Sequence, residues 1–159
     1  MAAMGSFVDF YKGRFDAEYD EIEQNGAREF VGDDPIEVKE SMRYLRDLFD
    51  KASPEILPDT IWMRLGNTGS WNVKTFEDLF RNLQRDGVRR DVTNIVRQYF
   101  NGPREGAIDR PRGKVECPIL LYTPENAGPK YHLMGGNTRL TIARVLGITP
   151  RVIILRTDW

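Results

Sequence analysis

The rear of the chain carries the pattern that most restricts its fold. Val115 to Tyr122 reads as a strand, and its unbroken Ile119-Leu120-Leu121 run predicts burial on both faces. A proline- and glycine-bearing stretch, 123–129, predicts a turn, and Lys130 to Met134 a second strand. Gly135-Gly136 follows, then a helix over about 137–146, Gly147 as its stop, and a last strand over 151–156 holding Val152-Ile153-Ile154-Leu155. Strand, helix and strand in so few residues predict a right-handed parallel crossover.

The front reads differently. Phe7, Phe10, Tyr11, Phe15, Tyr19 and Ile22 recur mostly at three- and four-residue spacings, which predicts an amphipathic helix over 7–24, capped by Ser6 and ended by Asn25-Gly26. Asp34-Pro35 predicts the start of a second helix, since Asp caps well and Pro suits a first turn. Val38, Met42, Leu45 and Phe49 form its apolar stripe, widened by Ile36, Tyr44 and Leu48. A linker runs from Ala52 to Pro58, a short strand over 60–65, and a turn over Gly66-Asn67-Thr68-Gly69. Further helices are expected from Thr75 to Gly87 and from about Asp91 to Phe100, then an exposed basic loop over 102–114. The fold class is therefore α+β, a small sheet with flanking helices. Its organisation reads as 7–58, an N-terminal helical extension, and 59–159, the α/β unit, with 1–6 resembling a tag remnant.

In 159 residues, 40% hydrophobic and 30% charged, there is material for a real core. No apolar run approaches the roughly 20 residues of a membrane helix, and no basic-then-apolar leader opens the chain. The expectation is a cytoplasmic protein of a bacterial or phage-infected cell with no membrane partner. A single cysteine, Cys117, and a single histidine, His132, exclude a disulfide framework and any multi-histidine or cysteine-rich metal site, so no metal is expected from protein ligands alone. The net charge of −1 hides an asymmetry. Residues 1–60 carry seven Lys/Arg against fifteen Asp/Glu, whereas 61–159 carry sixteen against nine, thirteen of them arginine. Arginine forks pair with phosphate or carboxylate oxygens. The asymmetry fits a phosphate ligand for the rear, or mutual docking of the two halves, or both.

Chemistry is expected at the turn Gly135-Gly136-Asn137-Thr138-Arg139. Glycines let a ligand approach the backbone, and a helix start leaves N–H groups without internal partners. Asn137 or Thr138 can cap the helix or turn to a ligand. Arg139 is the informative residue, because a cation in a first helical turn costs roughly 0.3–1 kcal/mol against the helix dipole unless an anion sits beside it. The alternative is a plain tight turn with Arg139 in water. Neither Gly-x-Gly-x-x-Gly nor a Walker loop is present.

Pro118-Ile119-Leu120-Leu121-Tyr122, Tyr131 through Ala143, Leu146-Gly147-Ile148 and Val152-Ile153-Ile154 resemble the ParB/sulfiredoxin superfamily, whose members share a Pro-Ile strand, a second strand, a Gly-x-x-Arg turn into a helix and a closing strand. The resemblance covers about residues 115–156. It implies that the turn binds nucleotide phosphates, with Gly136 as the family glycine and Arg139 as the family arginine. Asn137 stands where sulfiredoxins have their cysteine and partition proteins a glutamate, and Thr138 replaces the usual histidine or arginine. Sulfinic-acid reduction is therefore not expected, and CTP-clamp activity is in doubt. Phosphotransfer, as in free-serine kinases of this fold, is the remaining precedent, since it needs positioning and charge neutralisation more than a special nucleophile.

The favoured expectation is an NTP-dependent phosphotransferase using ATP or another nucleotide, with or without Mg2+, on a hydroxyl of DNA, a nucleoside or a small molecule. Its phosphate site is Gly135, Gly136, Asn137, Thr138 and Arg139, with Arg64, Asn67 and Thr68 as a second wall. His132 and Glu116 are candidate bases, with Asp109 and Asp158 as alternatives, and a packed structural role competes for His132. A second class is a ParB-like DNA-binding, nuclease or CTPase module of a phage or plasmid system. Its contacts would come from the 81–114 stretch, including Arg89, Arg90, Arg104, Arg110, Arg112 and Lys114, which carries nine basic against four acidic residues. A third is a non-catalytic domain whose acidic N-terminal helices bind a protein partner.

Overall fold

The computed structural model describes residues 9–62, 65, 114–125, 128–136, 139–140, 143 and 148–159. The two expected helices between 75 and 100 lie outside them, as do the loop over 102–113 and residues 1–6. Where described, the chain is an α+β fold.

Two sheets organise it. β1 (Asp9–Tyr11) pairs in parallel with β3 (Lys114–Glu116). A four-stranded sheet has the order β2-β6-β4-β5, formed by β2 (Glu55–Ile56), β4 (Ile119–Glu125), β5 (Gly128–Gly135) and β6 (Arg151–Arg156). β4 lies in the middle, antiparallel to β5 and parallel to β6. The expected parallel crossover from the second strand to the last is thus corrected. β5 returns as a hairpin on β4, so β6 runs against β5 and takes its parallel partner in β4. The turn is also shorter than 123–129, because both strands continue through the Pro124–Pro129 pair. β6 accompanies β4 only as far as Tyr122, so Pro124 meets no β6 ladder on that side.

The unbroken apolar run behaves as its pattern requires. Ile119 and Leu121 of β4, with Ile153 and Leu155 of β6, face one core; Leu120, Val152 and Ile154 face the other. Pro118, which has no N–H to donate, separates β3 from β4 within what the pattern reads as one strand.

The front departs further from its periodicity. Instead of a helix over 7–24, β1 comes first and a composite helix over 15–31 follows. It is 3-10 at Phe15–Glu18, α at Tyr19–Ile22, π at Glu23–Arg28 and α again at Glu29–Val31. Strand pairing of Phe10 with Val115 overrides the helical spacing. Asn25-Gly26 does not stop the helix. Asn25 donates to the Met134 carbonyl at 3.0 Å, and the bare Gly26 Cα admits the Met134 sulfur, so the chain widens to π and continues.

The second helix, α1 (Pro35–Lys51), starts as expected, with the Asp34 carboxylate accepting from the Ile36 N–H at 2.9 Å. Val38, Met42, Leu45 and Phe49 are buried, whereas Ile36 is 71% exposed and does not widen the stripe. The expected linker contains β2, and its Leu57 is buried. Where the expected strand over 60–65 is described, at its start, the chain is instead a helical turn, α2 (Asp59–Trp62), opened by the Ile61 N–H donating to the Pro58 carbonyl. Front and rear share one core: Phe15, Ile22, Leu45 and Phe49 belong to the same cluster as Ile119, Leu121, Met134 and Ile153. Among the described residues no helix is long and apolar enough to cross a membrane.

Candidate functional site

The glycine turn is built by three constraints. First, β5 bulges where it leaves β4: Ile119 faces Gly135 and Leu120 faces Leu133, so Met134 is the extra residue. Bulges re-aim the chain at sheet ends. Second, Gly136 has φ +104°, a region that penalises any side chain, and an added Cβ would lie 2.6 Å from Pro118 Cβ. Third, the Leu140 N–H donates to the Gly136 carbonyl at 2.9 Å, which ties the glycine to the helical residue four positions on.

That geometry sets Arg139 inward. The residue is 8% exposed, so the alternative of a plain turn with Arg139 in water is not met. Its Nη1 donates to the Glu116 carbonyl at 3.0 Å, and its Nη2 donates to Glu18 Oε1. The Glu18 carboxylate lies against the turn as well: a Cβ on Gly135 would sit 2.9 Å from Glu18 Oε2, with Glu21 Cβ beyond it at 3.8 Å. An anion therefore already occupies the angle between the glycine backbone and the guanidinium. It belongs to the chain itself.

Gly135, Gly136, Arg139 and Glu116 come together here, the last through its backbone. The Glu116 carboxylate points elsewhere and accepts from the Tyr11 hydroxyl at 3.4 Å. His132 is engaged by other partners. Its Nε2 lies 3.1 Å from Thr123 Oγ1, and its ring meets Phe30 edge-on at 4.8 Å, the packed arrangement that competes with a role as base. Asp158 pairs with the Tyr44 hydroxyl at 3.0 Å, beside the Trp159 ring. Asn137, Thr138, Arg64, Asn67, Thr68, Arg89, Arg90, Arg104, Asp109, Arg110 and Arg112 lie outside the described residues, and of Lys114 only the backbone, in β3, is described.

Cys117 sits close to the same arginine, and the guanidinium charge favours its thiolate. Burial outweighs that effect and pushes the thiol up to about 12. A thiol so held stays protonated near neutrality and is a poor nucleophile. Among the described residues, no group of three or more His, Cys, Asp or Glu side chains is arranged to hold a metal.

Sequence reasoning overlooked Glu18, which counted only towards the acidic charge of the front. It is 121 positions from its partner, beyond any local spacing rule. The one visible signal was the opposed charge of the two halves. Glu18–Arg139 joins them, and so does Glu55–Arg156, whose two N–H···O contacts measure 2.6 and 2.7 Å. Compared with protein-family models, curated proteins and solved structures, the chain matches none.

Proposed function

We propose that the Gly135–Arg139 turn binds the phosphates of a nucleotide, and that the chain is an NTP-dependent phosphotransferase acting on a hydroxyl of DNA, a nucleoside or a small molecule. The observation that carries this reading is Arg139, a buried guanidinium turned to a carboxylate beside a backbone without a Cβ. A carboxylate and a phosphate offer an arginine the same paired oxygens, so a pocket shaped for one suits the other. The resemblance of 115–156 to the ParB/sulfiredoxin superfamily points the same way. In this reading Arg139 neutralises the charge that develops as the phosphoryl group moves, and the turn fixes its position. Magnesium would arrive with the nucleotide.

The test is thermal stability of the full chain with ATP, ADP, CTP or GTP, with and without Mg2+. A ligand at about a hundredfold its Kd stabilises by about 2.7 kcal/mol. For a chain of this size that raises Tm by about 5–10 °C. Arg139→Lys keeps the charge, loses the fork and should lose most of that shift. Label from the γ-phosphate should then appear on one acceptor class. No shift with any nucleotide refutes the reading. The same ion pair favours a second reading, a protein-interaction domain in which Arg139 only fastens the front to the rear, and an absent shift would support it.

A further inference from the structure

We propose that Glu18 is a built-in competitor for the phosphate seat: its carboxylate fills the place beside Gly135 and Arg139 that a phosphate would take, so ligand binding must displace it and loosen the composite helix beside the turn. This rests on the phosphate-binding reading above and adds a gate to it.

Three observations carry it. The carboxylate is in the seat sterically, since Glu18 Oε2 lies where a Gly135 Cβ would nearly touch it, and one space cannot hold two anions. It is in the seat electrostatically, since Glu18 Oε1 takes the Arg139 Nη2 donor and both side chains are largely buried, at 17% and 10% exposure. Without a counter-anion that guanidinium would be left buried and uncompensated. The helix bearing Glu18 is anchored in the shared core by Phe15, Ile22 and Ala27, and beside the turn it is held by a polar contact that can be exchanged. Asn25 donates to the Met134 carbonyl, next to Gly135, and, within its own helix, to the Glu21 carboxylate at 3.3 Å. These bonds lie in or beside the π segment at Glu23–Arg28. π turns are uncommon and recur where function asks a helix to depart from its best geometry.

The gate follows from competition. Bound to Arg139, Glu18 lowers the apparent affinity for an external anion by the fraction of time the seat is open. A phosphate brings more charge and more acceptor oxygens than the carboxylate, so it displaces Glu18 once its concentration suffices. The freed carboxylate swings out and the helix loosens around it, while Phe15, Ile22 and Ala27 stay in the shared core.

The experiment measures binding of inorganic pyrophosphate and of MgATP to the full-length wild type, Glu18→Gln and Arg139→Lys by calorimetry, with hydrogen exchange on the wild type. Glu18→Gln keeps a neutral acceptor for Arg139 but removes the competing charge. Its affinity should rise about tenfold or more, corresponding to a seat open about a tenth of the time or less in the wild type. Amides over 19–28 of the wild type should exchange faster when ligand is added. Equal affinities for wild type and Glu18→Gln, with loss in Arg139→Lys, overturn the gate and leave the phosphate reading standing. Slower exchange over 19–28 on ligand addition also overturns the gate, and this arm decides the matter if Glu18→Gln fails to fold. Binding by neither wild type nor a folded Glu18→Gln chain removes both proposals.

Discussion

Gly136→Ala is the substitution that asks most of the turn. At φ +104° the new Cβ takes on backbone strain of roughly 1–2 kcal/mol. It also arrives 2.6 Å from Pro118 Cβ and 2.8 Å from Pro118 Cα. Those atoms cannot swing aside, because the ring fixes the Pro118 backbone and its carbonyl accepts from the Ile153 N–H at 2.9 Å inside the sheet. Overpacking of this kind adds about 1–3 kcal/mol. The expected total is about 2–5 kcal/mol, out of the 5–15 kcal/mol that a domain commonly has. The control is Gly32→Ala. Gly32 has φ +107° with nothing within 4 Å, so it carries the strain without the collision. Urea unfolding followed by circular dichroism should show both variants losing stability with unchanged m-values, and Gly136→Ala losing about 1–3 kcal/mol more. Equal losses would mean that Pro118 does not close over the turn, and the geometry assigned to Arg139 would fall with it.

Other expectations are simpler to state. Cys117, 1% exposed with its thiol near 12, should resist a disulfide reagent at pH 8 in the folded chain and react at once in urea; rapid native labelling would contradict its burial. Its folded pKa lies above the ordinary thiol value of 9.0, so its contribution to stability is full below pH 9 and declines as pH rises from about 9 to about 12; a melting curve with no such alkaline decline counts against it. Asp34→Ala removes the cap on α1 and should cost about 1 kcal/mol, a fall of about 2–4 °C in Tm, whereas an unchanged Tm would argue against the Asp34–Ile36 bond. Removing residues 1–58 takes Phe15, Ile22, Leu45 and Phe49 out of the shared core and leaves Arg139 without Glu18. The remainder should bind hydrophobic dye and unfold without a sharp transition, and a cooperative melt would refute the shared core.

What the sequence made legible is what neighbouring residues determine. The two-sided burial of Ile119-Leu120-Leu121, the Asp34-Pro35 helix start, the Val38–Met42–Leu45–Phe49 stripe and the Gly135-Gly136 break all follow from spacings of a few residues, and the structure has them. What stayed hidden depends on distant partners. β1 is three residues long and exists because Asp9, Phe10 and Tyr11 meet Lys114, Val115 and Glu116, more than a hundred positions away. Without that partner the aromatic spacing of 7–24 reads as a helix. β2 is two residues long and depends on β6 in the same way. The parallel crossover was misassigned because strand order is not a local property: the pattern fixes that a strand follows a helix, not which neighbour it joins. Glu18 is the most consequential of these cases. Its carboxylate has no local pattern to mark it, yet it decides whether Arg139 faces solvent, a ligand or the chain's own anion. The opposed charges of the two halves were its visible trace, and phosphate attraction and mutual docking, the two readings of that asymmetry, converge on one guanidinium. If Arg139 serves a phosphate, it does so by giving up the contact that ties the front of the chain to the rear, so binding and fastening at this turn are one equilibrium.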